Sequence, residues 1–590
     1  MNRFGKPLVI LTLLLFALPG IANADSEAAK QLDQLLSDSW EFSLSEDPLF
    51  ATQVGDNRSN DKLPRETLAD HRRRYDADRK FLSRLESIPR DQLARARQVD
   101  YDIFRRLKRD AIAEHKFQSH LTPITNRSGF HLSFPELPLE MPLLTVSDYE
   151  HYVARLRAFG QYTDDHIELL REGIKRGVTM PGVVLADFDK SVAPHVVENP
   201  TQSLLYKPLV KLPETFGDAD RTRLVASGKA AIAESVVPGY RRLLEFMTRE
   251  YLPACREQIG ASALPQGREF YRYRVRHFIT LDIDPDQVHE TGLAEVKRIK
   301  AEMLDVIKRV NFQGDFPAFV RFLRSDPRFY AETPEQLLKE VSLVLKRMDG
   351  ELPKLFKTLP RTPYGIREIP SFVAPRTTTA YYMPPAGDGS RAGFYYVNTY
   401  DLKSRPLFEI EALSLHEAVP GHHIQIALQQ ELTGLPPFRR FAHATAFVEG
   451  WGLYAERLGL EVGFYEDPYR NFGRLSYEMW RACRLVVDTG MHYLGWTRQQ
   501  AIGFMADNTA LTLHNITAEV DRYISWPGQA TAYKMGELKI RALRRTAEDQ
   551  LGPKFDVREF HDAVLAGGAI PLDVLEENVK AYIEKVQGGK

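Results

Sequence analysis

Signals for the start of α-helices recur along this chain and constrain its fold more than any other feature. Asp284-Pro285-Asp286-Gln287 combines an N-cap, a proline at the first helical position and a capping-box glutamine, and apolar residues follow at helical spacing. Similar helix starts stand at Thr333–Gln336 and at Thr497–Gln500. The sequence therefore predicts a mainly α-helical protein.

Strand signals are few, and the clearest pair lies shortly before a histidine-rich segment. β-branched and aromatic residues fill Thr377–Met383 and Gly393–Tyr400, and a stretch rich in proline and glycine joins the two runs. We expect a small β-hairpin beside the helix that follows.

Length and charge limit the classes of function. The chain has 590 residues, of which 43% are hydrophobic, so it can bury a large core. Its 78 basic and 79 acidic residues leave no net field that would hold a polyanion. Nucleic acid is therefore not expected as a partner.

Residues 1–24 have the pattern of an export signal peptide. Arg3 and Lys6 precede the apolar run Leu8–Leu18, and Ala22-Asn23-Ala24 supplies a cleavage site. The run is too short to span roughly 30 Å of hydrocarbon, and no later stretch of the sequence is apolar for long enough. No cysteine follows the run, so a lipid anchor is not expected. We predict a periplasmic or secreted protein without stable membrane insertion.

The two cysteines, Cys255 and Cys483, are too few to build a thiolate metal site. An oxidising compartment permits a bridge between them, but two free thiols are equally consistent with their spacing. Any metal in this protein must therefore be held by histidine and carboxylate.

The segment Leu413–Gln425, which reads LSLHEAVPGHHIQ, contains the residues for such a site. A histidine followed by glutamate on a helix opens the zinc-peptidase pattern, in which a second histidine lies one turn on. Here Pro420 occupies that position, and the next histidines are His422 and His423. On a straight helix His416 and His422 would be separated by about 9 Å of rise. A break at Pro420-Gly421 would bring His422 beside His416, with His423 as the alternative ligand.

A following helix, predicted over Phe438–Leu458, supplies the third ligand. Glu449 and Glu456 are seven residues apart and so lie on nearly the same face of that helix. The plain alternative is a pair of surface carboxylates. Because they follow the histidine segment closely, we expect Glu449 to bind the metal and Glu456 to support a histidine ligand.

These strings resemble the DUF885 family of uncharacterised bacterial proteins, which are similar to zinc-dependent oligopeptidases and carboxypeptidases of mainly helical fold. The resemblance rests on HEAVPGHH (416–423), FVEGWGLYAE (447–456), the stretch 481–496 and PGQATAYKMGELKI (527–540), with weaker matches over most of the mature chain. It implies a large helical, zincin-like metallopeptidase fold with a small sheet beside the active-site helix. It also implies one Zn²⁺ ion in a metallopeptidase-like site, and no particular substrate. We expect residues 25–275 to form an N-terminal helical lobe and residues 276–590 a C-terminal metal-binding lobe, both within one domain.

Roles for further residues follow from the chemistry of amide hydrolysis. Glu417 would act as general base, and Tyr533, with His492 behind it, would stabilise the oxyanion. For Tyr533 the plain alternative is an ordinary core or surface tyrosine.

Arg481 and Arg484 lie on one polar face of a helix and would bind the terminal carboxylate of a peptide. Lys534 and Arg541 are rivals for that role, and the plain alternative is an internal pair of Arg484 with Asp488. Tyr396, in the hairpin, would contact a peptide substrate added to the strand edge.

The sequence thus predicts an exported zinc-dependent hydrolase of peptide bonds. A catalytically inert cell-envelope binding module and a zinc amidase acting on cell-wall peptides stay as alternatives. Manganese or cobalt in place of zinc, and assembly into a homo-oligomer, also stay open.

Overall fold

The computed structural model describes residues 26–371, 374, 378–386 and 391–589. The predicted signal peptide therefore lies outside the described residues, as do Thr377 and residues 387–390 of the hairpin connection. Within the described part the fold is mainly helical, as predicted. The first helices are α1 (Glu27–Glu46), α2 (Pro48–Gln53), α3 (Leu68–Glu86), α4 (Arg95–Lys116), α5 (Phe130–Ser133), α6 (Leu137–Glu140), α7 (Val146–Arg176), α8 (Phe188–Val192), α9 (Lys207–Val210), α10 (Asp218–Ala231), α11 (Val237–Phe246) and α12 (Gly267–Ile279). The later helices are α13 (Pro285–Arg309), α14 (Phe316–Ser325), α15 (Pro334–Leu355), α16 (Ile410–Glu417), α17 (His422–Glu431), α18 (Pro437–Arg440), α19 (Thr445–Leu458), α20 (Pro468–His492), α21 (Arg498–Asn508), α22 (Leu513–Ser525), α23 (Ala532–Leu551), α24 (Val557–Leu565) and α25 (Leu572–Gln587).

The predicted helix starts are confirmed. Asp284 caps α13 with a capping box completed by Gln287, and Thr497 caps α21 in the same way. Thr333 caps α15 by accepting a hydrogen bond from the backbone amide of Gln336. The capping residues therefore predicted the starts of these three helices correctly.

The predicted hairpin is present within a three-stranded sheet. Strands β2 (Ala380–Met383) and β3 (Gly393–Val397) pair antiparallel. Strand β1 (Tyr364–Glu368), which was not predicted, pairs parallel with β3 and makes the order β1-β3-β2. A parallel neighbour needs a crossover, so no turn next to β1 signals its pairing.

The helix predicted over Phe438–Leu458 is wrong in one respect, because it is broken into α18 and α19. The side-chain amide of Gln429 donates hydrogen bonds of 3.0 Å to the carbonyls of Arg439 and Ala442, which stabilises the break. Neither proline nor glycine lies within the break, so the sequence carried no local signal for it.

Close packing of α19 against α23 positions the functional region. A Cβ added at Gly450 would lie 2.5 Å from the backbone of Gly536, and a Cβ at Gly536 would overlap the carbonyl oxygen of Ala446. Only glycine permits this approach of two helix backbones. The largest hydrophobic core draws on residues from both sides of the boundary at 275/276.

Two other features bear on the environment of the protein. Cys255 and Cys483 are free thiols, the first half-buried and the second buried. No helix among the described residues is apolar over enough length to cross a membrane.

Candidate metal centre

The break predicted at Pro420-Gly421 is present and folds the chain back on itself. Helix α16 ends at Glu417 and α17 begins at His422. A Cβ added at Gly421 would lie 2.5 Å from the carbonyl oxygen of Leu415 and would overlap that of His416, so the return path requires glycine. As a result the rings of His416 and His422 meet at a centroid distance of 4.7 Å and an angle of 85°.

Glu449 completes a group of three donor atoms with these histidines. One donor atom from each of the three residues lies within 4.8 Å of the others. Oε2 of Glu449 is 3.5 Å from Nε2 of His416 and 3.8 Å from Nε2 of His422. Both distances exceed those of good hydrogen bonds. They approach the roughly 3.4 Å that separates two ligand atoms of a tetrahedral Zn²⁺ with bonds near 2.1 Å. The three side chains therefore fit a metal ion of this size.

Neighbouring side chains hold both imidazole rings. His416 donates from Nδ1 to Oε1 of Glu456 at 2.8 Å, which leaves Nε2 to face Glu449. Gly452 makes room for the same ring, since a Cβ there would lie 2.8 Å from Nε2. The amide nitrogen of Gln425 lies 2.8 Å from Nδ1 of His422. Glu456 is thus placed as the sequence predicted for a supporting carboxylate.

Opposing electrostatic effects act on the three donors in the metal-free protein. Burial alone would lower the pKa of His416, but Glu449 and Glu456 on either side raise it to about 9. Burial lowers the pKa of His422 to about 3, so its ring is neutral and can act as a ligand. Burial opposes ionisation of Glu449, yet the two histidines hold its pKa down at about 2. Glu449 is therefore a carboxylate at neutral pH.

Glu417 lies at the end of α16 next to the three donors. Burial and the nearby charge of Glu449 raise its pKa to about 7, although His416 opposes this. That value suits a group that accepts a proton near neutral pH. Burial and, to a lesser degree, the charge of Glu417 raise the pKa of Tyr395, which a hydrogen bond with Ser414 partly offsets.

The placement of Tyr396 corrects the prediction for the hairpin. Successive side chains of a strand point to opposite faces, and on β3 it is Tyr395 that points toward α16. Tyr396 stacks on Tyr381 at 4.9 Å in a separate small cluster. Tyr396 therefore lies on the face of β3 turned away from α16, and β3 is paired on both sides, so it has no free edge to which a peptide could add.

His423, the alternative ligand, points away from the three donors. Its Nδ1 lies 2.8 Å from the hydroxyl of Tyr382, and its ring packs 4.9 Å from that of Tyr364. It lines a separate cavity of about 520 Å³ between α15, β1 and α17. Consecutive residues of a helix point about 100° apart, so His422 and His423 cannot both face Glu449.

Tyr533 and the two arginines approach the three donors from α23 and α20. Burial raises the pKa of Tyr533, and the charge of Glu449 adds to this effect. The guanidinium of Arg484 lies over the ring of Tyr533, 4.4 Å from its centroid. Arg481 lies behind the site, with Nη2 3.8 Å from Oε1 of Glu456.

His492 and Asp488 do not take the predicted positions. The ring of His492 accepts a hydrogen bond from Ala261 at Nδ1 and donates from Nε2 to the carbonyl of Tyr523. Both nitrogens are thus used by the backbone, and His492 has none left to assist Tyr533. Asp488 accepts from Tyr271 and Gly528 rather than pairing with Arg484. Lys534 is also excluded from substrate binding, because it is fully buried among three glutamates.

Two groups close to the site were missed by sequence reasoning. His443 lies in the break before α19, near enough that its charge lowers the pKa of Glu449. Arg522 on α22 forms an ion pair with Glu519, and its positive charge opposes the effect of burial, which raises the pKa of Tyr533. Neither residue belongs to a recognisable motif, and only the tertiary fold brings them here.

Comparisons with known proteins agree on the fold and give no activity. A solved structure from Colwellia psychrerythraea, described as a "putative lipoprotein", matches with a TM-score of 0.90 and 28% identity over 95% of this chain and 99% of that one. A second, from Shewanella oneidensis and described as a "putative lipoprotein of unknown function", matches with a TM-score of 0.69 and 18% identity over 94% of this chain and 99% of that one. None of the curated proteins matches the sequence. A family model matches residues 48–579, nearly the whole chain. The chain therefore belongs to the family described as bacterial proteins of unknown function, DUF885.

Proposed function

We propose that this protein is an exported, zinc-dependent hydrolase of peptide bonds with a zincin-like catalytic region. The observation that carries the proposal is the spacing of His416, His422 and Glu449, which suits a metal better than it suits hydrogen bonding. Zn²⁺ held there would polarise a carbonyl group and lower the pKa of an adjacent water molecule.

The chain's own groups supply the proton transfers. Glu417 accepts a proton from the attacking water as hydroxide adds to the carbonyl carbon, and it then delivers this proton to the amine nitrogen as the C–N bond breaks. The raised pKa of Glu417 suits both steps. We assign to Tyr533 the donation of a hydrogen bond to the oxygen of the carbonyl as it becomes negative.

Export is supported by the leader pattern and by the description of the Colwellia psychrerythraea structure as a "putative lipoprotein". We propose a periplasmic or secreted protein. The alternatives are an inert binding module and an amidase of cell-wall peptides. A module that needs no metal has little physical reason to keep three mutually facing donors beside a buried glutamate.

The test measures turnover and metal content together on the mature protein loaded with zinc. Products from a peptide mixture and from cell-wall peptides are identified by mass spectrometry. Glu417→Gln should lower turnover by about two to four orders of magnitude while zinc stays bound. Glu461→Gln, which removes a surface ion pair with Arg544, is the control and should change neither quantity.

Three outcomes separate the alternatives. Near-normal turnover in Glu417→Gln would show that Glu417 is not the general base. Zinc-loaded wild-type protein that cleaves no substrate would favour the binding module. Cleavage restricted to cell-wall peptides would favour the amidase.

A further inference from the structure

A cluster of three arginines, of which Arg484 is buried and Arg127 is exposed, lies beside the proposed metal site. Arg484, Arg522 and Arg127 all surround Glu519, at N···O distances of 3.2, 3.1 and 3.4 Å. None of the three forms an ion pair with another carboxylate among the described residues. We call this group the arginine cluster. It holds three positive charges in contact with one negative charge.

Arg484 keeps one donor group free inside this cluster. Its side chain is 5% exposed; Nε donates to the hydroxyl of Tyr523 at 2.9 Å, and Nη2 donates to Glu519. Nη1 is buried and has no hydrogen-bond partner. Its Cζ lies 4.5 and 4.4 Å from the ring centroids of Trp480 and Tyr533. Contact with two aromatic rings restricts the movement of the guanidinium.

Tyr533 connects the arginine cluster to the metal site. It lies one turn before Gly536 on α23, and Gly536 packs against Gly450, the residue after Glu449. Tyr533 thus contacts Arg484 and lies one helical turn from the point where α23 crosses α19 beside Glu449. Arg127, whose side chain is 39% exposed, is the member of the cluster that reaches the solvent.

We propose that the arginine cluster binds the free C-terminal carboxylate of a peptide, so that the enzyme cleaves near the C terminus. This inference rests on the proposed function and names its substrate class. A carboxylate bound by Nη1 of Arg484 and by Arg522 would satisfy the free donor and offset the surplus positive charge. The peptide bond to be cleaved would then lie past the tyrosine ring, at the three metal donors. Glu519 holds the guanidinium groups in place for this purpose.

The test uses two peptides of one sequence, with a free C-terminal carboxylate and with a C-terminal amide. The zinc-loaded mature protein should cleave the acid with a kcat/KM roughly 10–100-fold above that for the amide, as expected for a hydrogen bond to a charged group. Arg484→Gln and Arg522→Gln should each remove most of this preference by lowering activity on the acid far more than activity on the amide. Arg484→Lys keeps the charge without the planar fork and should show an intermediate preference. Arg498→Gln, which breaks a surface pair with Asp521 on the same helix as Arg522, should change nothing.

A binding measurement separates this inference from the proposed function. Calorimetry on zinc-free protein compares an N-acetylated peptide acid with its amide, and inorganic phosphate is added as a competitor. If no peptide is cleaved but the acid still binds at least tenfold more tightly than the amide, and Arg484→Gln removes the difference, the inference stands and the proposed function fails. Equal cleavage or equal binding of acid and amide by the wild type overturns the inference. Binding of phosphate without any preference for the peptide acid also overturns it, because the cluster would then serve a different anion.

Discussion

Replacing Gly452 with alanine tests whether the His416 ring is held at a metal-binding position. The added Cβ would lie 2.7 Å from Cε1 and 2.8 Å from Nε2 of this ring, whereas ordinary contact begins at 3.4 Å. The ring must therefore move by about 0.7 Å, well beyond the roughly 0.2 Å that metal–ligand distances tolerate. Glu456 holds the ring on its other edge, so a shift also strains that hydrogen bond. We expect metal affinity to fall by more than about 100-fold, since losing a ligand costs more than losing its support. Overpacking should lower the free energy of unfolding by about 1–3 kcal/mol.

The matched control for this prediction is Gly503→Ala. Gly503 lies within helix α21, and a Cβ there meets no atom within 4 Å. This change should stabilise the protein by about 0.5–1 kcal/mol and leave metal binding unaltered. Affinity is measured by competition with a chromophoric chelator, and stability by denaturant unfolding of the metal-free protein. A folded Gly452→Ala protein that binds zinc within about threefold of the wild type would refute the assignment of His416 as a ligand.

Two further predictions concern the metal ligands and a buried acid. Glu456→Gln should weaken zinc binding by about 10–100-fold, because Glu456 supports the His416 ring. His423→Ala should leave zinc binding unchanged, because His423 faces another cavity. Equilibrium dialysis measures both affinities, and loss of zinc in His423→Ala would contradict the assignment of His422 as the ligand. Asp488 is buried, and this raises its pKa from 3.8 to about 7, so the folded protein keeps a proton that the unfolded chain releases between these values. Wild-type stability should therefore fall relative to that of Asp488→Asn as the pH rises from about 4 to about 7; a pH-independent difference in unfolding free energy would exclude this ionisation.

Local signals in the sequence predicted the parts of the fold that depend on neighbouring residues. Capping at Asp284 and Thr497 depends on side chains three residues away, and both helix starts are confirmed. The break at Pro420-Gly421 was also predictable, because proline and glycine act on their own backbone. By contrast, β1 pairs with a strand far along the chain, and no local pattern reveals such a partner.

The candidate site shows the same division between near and distant contacts. His416, His422, Glu449 and Glu456 lie on helices whose faces can be read from spacing, and the structure brings them together. Spacing also suggested a pair of Arg484 with Asp488, yet α22 supplies Glu519 instead. A helical periodicity shows which residues share a face, but it cannot show which element will cover that face.

Glycines explain why the three candidate metal donors can come together. Gly421 permits the reversal between α16 and α17, Gly452 admits the His416 ring, and Gly450 meets Gly536 where α19 crosses α23. Each glycine inside a helix costs about 0.5–1 kcal/mol relative to alanine, so two within α19 are unfavourable on propensity alone. Glycine is nevertheless needed at both positions, because a Cβ at either one would push apart the elements that carry His416, Glu449 and Tyr533. The paired glycines of FVEGWGLYAE are therefore as much a requirement of the proposed metal site as its ligands are.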